Sequence, residues 1–185
     1  MSKLPPYVST GADLSRADED GAQLYRYSLQ RTWTRGAPRV TWIMLNPSTA
    51  DGLTDDPTIR RCVLLAQSWG YGGISVGNLF AYRATNPRDL PILPARAVGP
   101  DTDVYLAAMI AGAGTHADPP TGDIVVAAWG AQSRAMVRDR ADRVLSWLRV
   151  AGVPIHSVGV TRDNHPRHPL MVRGDVRPQL LEVKA

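Results

Sequence analysis

Four polar clusters in this sequence hold side chains able to bind a ligand and move a proton. The first is Asn46-Pro47-Ser48-Thr49, which interrupts the apolar run 40–45. The second is Asn78, near the end of the run 74–79, with Tyr82 and Arg83 a few residues on. The third is Trp129, Gly130 and Gln132, after the most apolar stretch, 124–129. The fourth is Thr161, Asp163, Asn164, His165 and His168, in a polar loop that follows 155–160. Amides read the edge of a flat ring, aromatic side chains cover its face, and an imidazole donates or accepts a proton. Together they suit a flat polar ligand such as a nucleobase.

Each cluster also has a plainer reading. Asn46 before Pro47 suits an Asx turn. Asn78 follows Gly77 inside an apolar run, so a buried amide there needs partners. Trp129 fits a core position. His165 and His168 each precede a proline in a loop, and no further ligands at suitable spacing make them a metal site. Asp51, Asp55 and Asp56 fit either a Mg²⁺ site or a solvated loop that favours the amino end of the next helix. No Gly-rich phosphate loop, dinucleotide fingerprint or Gly-x-Ser-x-Gly elbow is present. Cys62 falls mid-helix and is a poor nucleophile candidate.

The elements that must position these groups follow from hydrophobic periodicity. Pro47 cannot donate to a sheet ladder, so the strand 39–45 ends there. Buried strands are expected at 39–45, 74–79, 124–129 and 155–160. Residues 24–33 alternate, with Tyr25, Tyr27 and Leu29 on one face and Arg26, Ser28 and Gln30 on the other. A half-buried strand is expected there, paired as an antiparallel hairpin with 39–45. Helices are expected from Pro57 to Trp69, from Asp101 to Ala111 and from Ala131 to Val150. The last should turn Met136, Val137, Val144, Leu145 and Leu148 inward and leave Arg134, Arg138, Asp139, Arg140 and Arg149 largely outside. Residues 80–93 read as a loop. The tail 171–185 reads as a short helix at most.

Strands alternating with helices imply an α/β fold in three layers: a four-stranded parallel sheet, helices on both faces, and an added antiparallel N-terminal strand. A single domain over 1–185 is expected, with 1–21 as an N-terminal arm or loop. All four strand ends then lie on one rim, where open α/β sheets bind ligands.

Composition bounds the rest. The chain has 185 residues, 44% of them hydrophobic, enough to bury a core. The net charge is +4 and nearly all the basic residues are arginine, which permits nucleic-acid binding without arguing for it. An internal disulfide is excluded by the single cysteine. No apolar run approaches the ~20 residues of a membrane span, and the first residues lack the apolar core of a secretory signal. A cytoplasmic location without membrane association is expected.

Leu45-Asn-Pro-Ser-Thr-Ala-Asp51, Asp56-Pro-Thr-Ile-Arg-Arg61, Asn78-Leu-Phe-Ala-Tyr-Arg-Ala-Thr85, Ala128-Trp-Gly130 and His165-Pro-Arg-His-Pro-Leu170 resemble a bacterial and phage family, domain of unknown function 1643. More distantly, the order of motifs is similar to the uracil-DNA glycosylase superfamily, in particular its mismatch-specific branch. Met44-Leu-Asn-Pro-Ser48 resembles that branch's Gly-Ile-Asn-Pro-Gly motif. Val76-Gly-Asn-Leu-Phe80 resembles the strand that carries the base-reading asparagine, and Val126-Ala-Ala-Trp-Gly-Ala131 the third-strand motif. His165-Pro-Arg-His-Pro-Leu170 resembles the superfamily's His-Pro-Ser-Pro-Leu loop. The Ser-Pro pair of that loop is missing here, and Asn46 stands where the most active branch has aspartate.

The resemblance implies a hydrolase of N-glycosidic bonds that recognises a nucleobase in nucleic acid or nucleotide, with DNA repair as one setting and no cofactor or metal. Asn46 would hold the hydrolytic water, and His168 or His165 would stabilise the departing base. Asn78, Ser48, Trp129 and Tyr82 would bind the base, and Arg83, Arg162 and Arg167 the phosphates. Two alternatives stand beside it: a non-catalytic module for a nucleotide or modified base, and a phage or host-defence interaction protein.

Overall fold

The computed structural model describes residues 15–17, 23–48, 54–111, 113–114, 116–131 and 133–182. Thr49, Asp51, Gln132 and most of the expected arm 1–21 lie outside the described residues. Strands β1 (Ser15–Ala17) and β2 (Gln23–Arg26) form a small antiparallel pair. The main sheet holds β3 (Leu29–Thr32), β4 (Arg39–Met44), β5 (Gly73–Asn78), β6 (Ile124–Ala127), β7 (Ile155–Ser157) and β8 (Gln179–Leu180). Their order is β3-β5-β4-β6-β7-β8. The inner four run parallel, and the two edge strands run antiparallel to their neighbours. The result is a mostly parallel α/β sheet of six strands.

Alternation along β4 divides the core. Val40, Trp42 and Met44 face helix α1 (Pro57–Ser68), where Ile59, Val63 and Ala66 meet them. Ile43 and Leu45 point the other way, toward α3 (Thr102–Ile110) and α4 (Ala135–Val150). A short helix, α2 (Pro94–Val98), adds Ala97 to that second layer. The period of two along the strand sends neighbouring side chains to opposite layers. Each fully buried large apolar side chain contributes about 1.5–3 kcal/mol. Among the described residues no helix is long and apolar enough to cross a membrane.

Several expectations need correction. The hairpin between 24–33 and 39–45 does not form: β3 pairs antiparallel with β5, in register Leu29↔Val76 through Thr32↔Gly73. Both edges of β4 are taken, by β5 and β6. The expected strand 24–33 is broken at Tyr27 and Ser28 into two pieces that join different sheets. Of its outward-reading face, Arg26 and Ser28 are buried and Gln30 is half-buried, and Arg31 is buried as well. Arg31 tolerates this because Asp55 accepts from its Nε at 2.9 Å.

The tail forms β8, which binds the free edge of β7, rather than a helix. Helix α4 starts at Ala135, later than expected, because Gly130 takes φ +76° and opens a loop first. Arg140 in α4 is buried. Its Nε donates to the carbonyl of Leu79 at 2.9 Å, and its guanidinium pairs with Asp103. Residues 80–93 contain a 3-10 turn, Pro87–Asp89, capped by the Asn86 side chain.

Candidate functional site

A cavity of about 650 Å³ opens at the carboxyl ends of the parallel strands. Its floor is apolar, with Met44, Leu45, Ile59 and Val76. Its polar wall gathers Asn46, Ser48, Asn78, Trp129, Arg162, Arg167 and His168 from the expected set. Topology explains the meeting. Met44 pairs with Asn78 across β4 and β5, so Asn46 and Asn78 leave neighbouring strand ends. The N–H groups of Leu79 and Phe80 then bond to the carbonyls of Met44 and Leu45, which extends the pairing past the strands.

Asn46 has a fixed orientation. Its Nδ2 donates to the carbonyl of Ala84 at 2.7 Å and to that of Pro47 at 3.0 Å. Both N–H bonds of the amide are thereby committed, and Oδ1 remains as its acceptor for a ligand or water. Asn78 is the opposite case. It is 3% exposed, and its buried Nδ2 has no hydrogen-bond partner among the described residues.

His168 closes the other side. Gly130 donates its N–H to the carbonyl of Pro166 at 3.0 Å, which ties the end of β6 to the histidine loop. His168 then caps the 3-10 turn Pro169–Met171, its Nδ1 accepting from Leu170 N–H at 3.3 Å. A neutral ring with Nδ1 as acceptor carries its proton on Nε2. Burial pushes the His168 imidazole below its ordinary value, while the charge of Asp56 acts against that shift. The site therefore favours a neutral N–H donor.

Helix α1 arranges this corner from underneath. At its amino end Asp56 caps it, Oδ1 accepting from Ile59 N–H at 2.8 Å. One turn on, Arg61 Nε donates to the carbonyl of Pro169 at 3.3 Å and so holds the turn that follows His168.

Three of the expected residues do not line the cavity. Tyr82 packs edge-on against Tyr25, ring centroids 6.0 Å apart. Arg83 lies beyond it and donates its backbone N–H to Leu24. His165 lines a separate depression of about 250 Å³ with Asp142, Asp163 and Glu182. Trp129 borders both hollows, yet it is 2% exposed and packs in the α3/α4 layer, so it is core and wall at once.

The cavity also holds residues not expected on the rim, Arg26, Asp56, Thr58 and Thr85, and it holds Thr161, expected on the rim but given no role. Asp56 sits just before a proline that opens a helix, a pattern that capping alone explains. Arg26, expected on the outer face of the strand 24–33, is buried and lines the cavity. Among the described residues, no three His, Cys, Asp or Glu side chains converge as a metal ion would require.

The chain is thus an α/β protein with an apolar-floored, arginine-bordered cavity where its parallel strands end. It belongs to the family described as Protein of unknown function (DUF1643), whose pattern matches residues 26–170. That span runs from Arg26 to Leu170 and includes every expected site residue. No curated protein and no solved structure matches the chain.

Proposed function

We propose that the cavity binds a nucleobase and hydrolyses the N-glycosidic bond that joins it to its sugar. The observation that carries this reading is the Asn78 amide: a buried Nδ2 without a partner at the edge of a roomy cavity. An unsatisfied buried donor costs about 1–3 kcal/mol. Such a group is retained where a ligand supplies the acceptor, and the carbonyl or ring nitrogen of a base edge does so.

Asn46 Oδ1 then accepts from a water on one side of the scissile bond. His168 Nε2–H donates to the base as negative charge builds on it, an interaction that strengthens toward the transition state. Arg162 and Arg167 border the cavity mouth and suit the flanking phosphates. Arg167 is steadied there by Nε donation to the carbonyl of Val160 at 2.9 Å. The likeness of Met44-Leu-Asn-Pro-Ser48 and His165-Pro-Arg-His-Pro-Leu170 to motifs of the uracil-DNA glycosylase superfamily supports the same reaction, with DNA repair as one setting. His168 takes the histidine role in preference to His165, because only His168 lines this cavity.

The test is release of free bases, followed by mass spectrometry. Probes are single- and double-stranded DNA carrying uracil, hypoxanthine or alkylated adenine, and the matching nucleoside monophosphates. Release by the wild type, lost about 10²-fold or more in Asn46→Ala, supports the reading. Tight binding of a probe without release identifies a nucleobase-binding module instead.

A further inference from the structure

An amide can hold water but cannot take its proton. In the proposed reaction Asn46 therefore needs a base beside it. His168 does not supply one, since Nδ1 already accepts from Leu170 N–H and Nε2 carries the ring proton. Among the described residues that line the cavity, one carboxylate remains: Asp56. Its Oδ1 is engaged by Ile59 N–H, which leaves Oδ2 with lone pairs to spare.

The segment that carries it is pinned. Next to it, Asp55 is held in a buried ion pair with Arg31, 2.8 Å from NH2, so the backbone at Asp56 is anchored from both sides. The titratable groups that feel the charge of Asp56 include Asp55 on its own segment and the His168 imidazole across the cavity. The unpartnered Asn78 amide opens on the same space and marks it as a ligand site.

We propose that Asp56 is the catalytic base of this site, an inference that rests on the hydrolase reading above. Water held at Asn46 Oδ1 forms the new bond from its oxygen to the anomeric carbon. The carbon–nitrogen bond breaks, and its electron pair stays on the base, where His168 Nε2–H receives it. Asp56 Oδ2 takes the proton that the water loses. That proton then passes through solvent to the released base, so sugar and base leave as neutral hydroxyl and N–H forms. No other reactant is needed.

Asp56→Asn separates chemistry from structure, because asparagine caps a helix as well as aspartate does. The experiment compares wild type, Asp56→Asn and Asp56→Ser on whichever probe of the base-release panel the wild type cleaves. It reads single-turnover rate at saturating enzyme, half-saturation and melting temperature; serine also caps, and serves if the asparagine variant does not fold. The expected result is a rate lower by about 10²- to 10⁴-fold, with half-saturation and melting temperature unchanged. A folded variant that keeps the wild-type rate overturns the role of Asp56 and leaves the hydrolase reading intact. A variant that loses rate only through weaker half-saturation also overturns it, since Asp56 would then be a binding group. A wild type that releases no base from any probe overturns the hydrolase reading and this inference with it.

Discussion

The side-chain nitrogen of Asn46 lies 2.7 Å from the carbonyl oxygen of Ala84. With the second bond, to Pro47, this contact makes Asn46 an acceptor and nothing else toward the cavity. An aspartate at the same place would set a carboxylate against two carbonyl oxygens. Asn46→Asp is thus expected to lower both base release and stability, the latter by about 1–3 kcal/mol, although it adds a potential base. Urea denaturation beside the base-release assay checks this. A variant as stable as the wild type would show that the orientation of Asn46 is not fixed by these bonds.

Asn78 is expected to behave in the opposite way. Its Nδ2 has no partner to lose, so Asn78→Leu removes an unsatisfied buried donor. Stability should hold or rise, while affinity for a nucleobase probe falls about tenfold or more, the loss of one to two hydrogen bonds. Calorimetric melting and equilibrium binding are the two measurements. A large fall in melting temperature would mean that the amide serves the core.

Arg61 is a positioning residue. It reaches from α1 to donate to the carbonyls of Pro169 and, three residues on, Val172, and so steadies the turn capped by His168. Arg61→Met keeps much of the apolar stem. It should cost about 1 kcal/mol of stability and lower turnover more than binding. The imidazole NMR signals of His168 should broaden or shift in this variant. Unchanged signals with reduced turnover would point to a direct contact between Arg61 and the ligand.

Stability should fall on the acid side of neutrality. His116, His156 and His168 are each held below the ordinary value of 6.5, burial being the largest cause in all three. Asp118 opposes the shift at His116, the carbonyl of Val125 at His156, and Asp56 at His168. As pH drops through 6.5 the unfolded chain takes up protons that the folded chain resists. Folding free energy therefore decreases below that pH and levels off only beneath the folded-state values. Urea midpoints should be lower at about pH 5.5 than at about pH 7.5, and His156→Gln should flatten part of the slope. A midpoint that rises on acidification would contradict the neutral state of these rings.

The four inner strands were legible because each is a short apolar run that ends in a polar turn. The hairpin was not. A turn at 34–38 between two strand-like segments looks local, yet β5, some thirty residues on in the chain, takes the place beside β4. Periodicity carries no information on which edge a strand joins. The same limit hid Arg26 and Arg140: charge and alternation put both toward solvent, yet both are buried, Arg140 against the carbonyl of Leu79, distant in sequence. At the rim, the strand-end rule brought Asn46, Asn78 and His168 to one cavity. Tyr82, Arg83 and His165 do not line it, because the loop after a strand end can turn either way: His165 faces the neighbouring hollow while His168, three residues on, faces the cavity.

The residues around the cavity span the whole family match and one residue beyond it, from Arg26 on β2 to Met171 in the last 3-10 turn. Any molecule that touches both asparagines and His168 cross-links chain segments that unfold together. Occupancy should then register as a rise in thermal midpoint, worth about 2.7 kcal/mol when the compound is present at a hundred times its dissociation constant. A dye-based melting screen of bases, nucleosides and nucleotides can thus rank ligands before any turnover is observed.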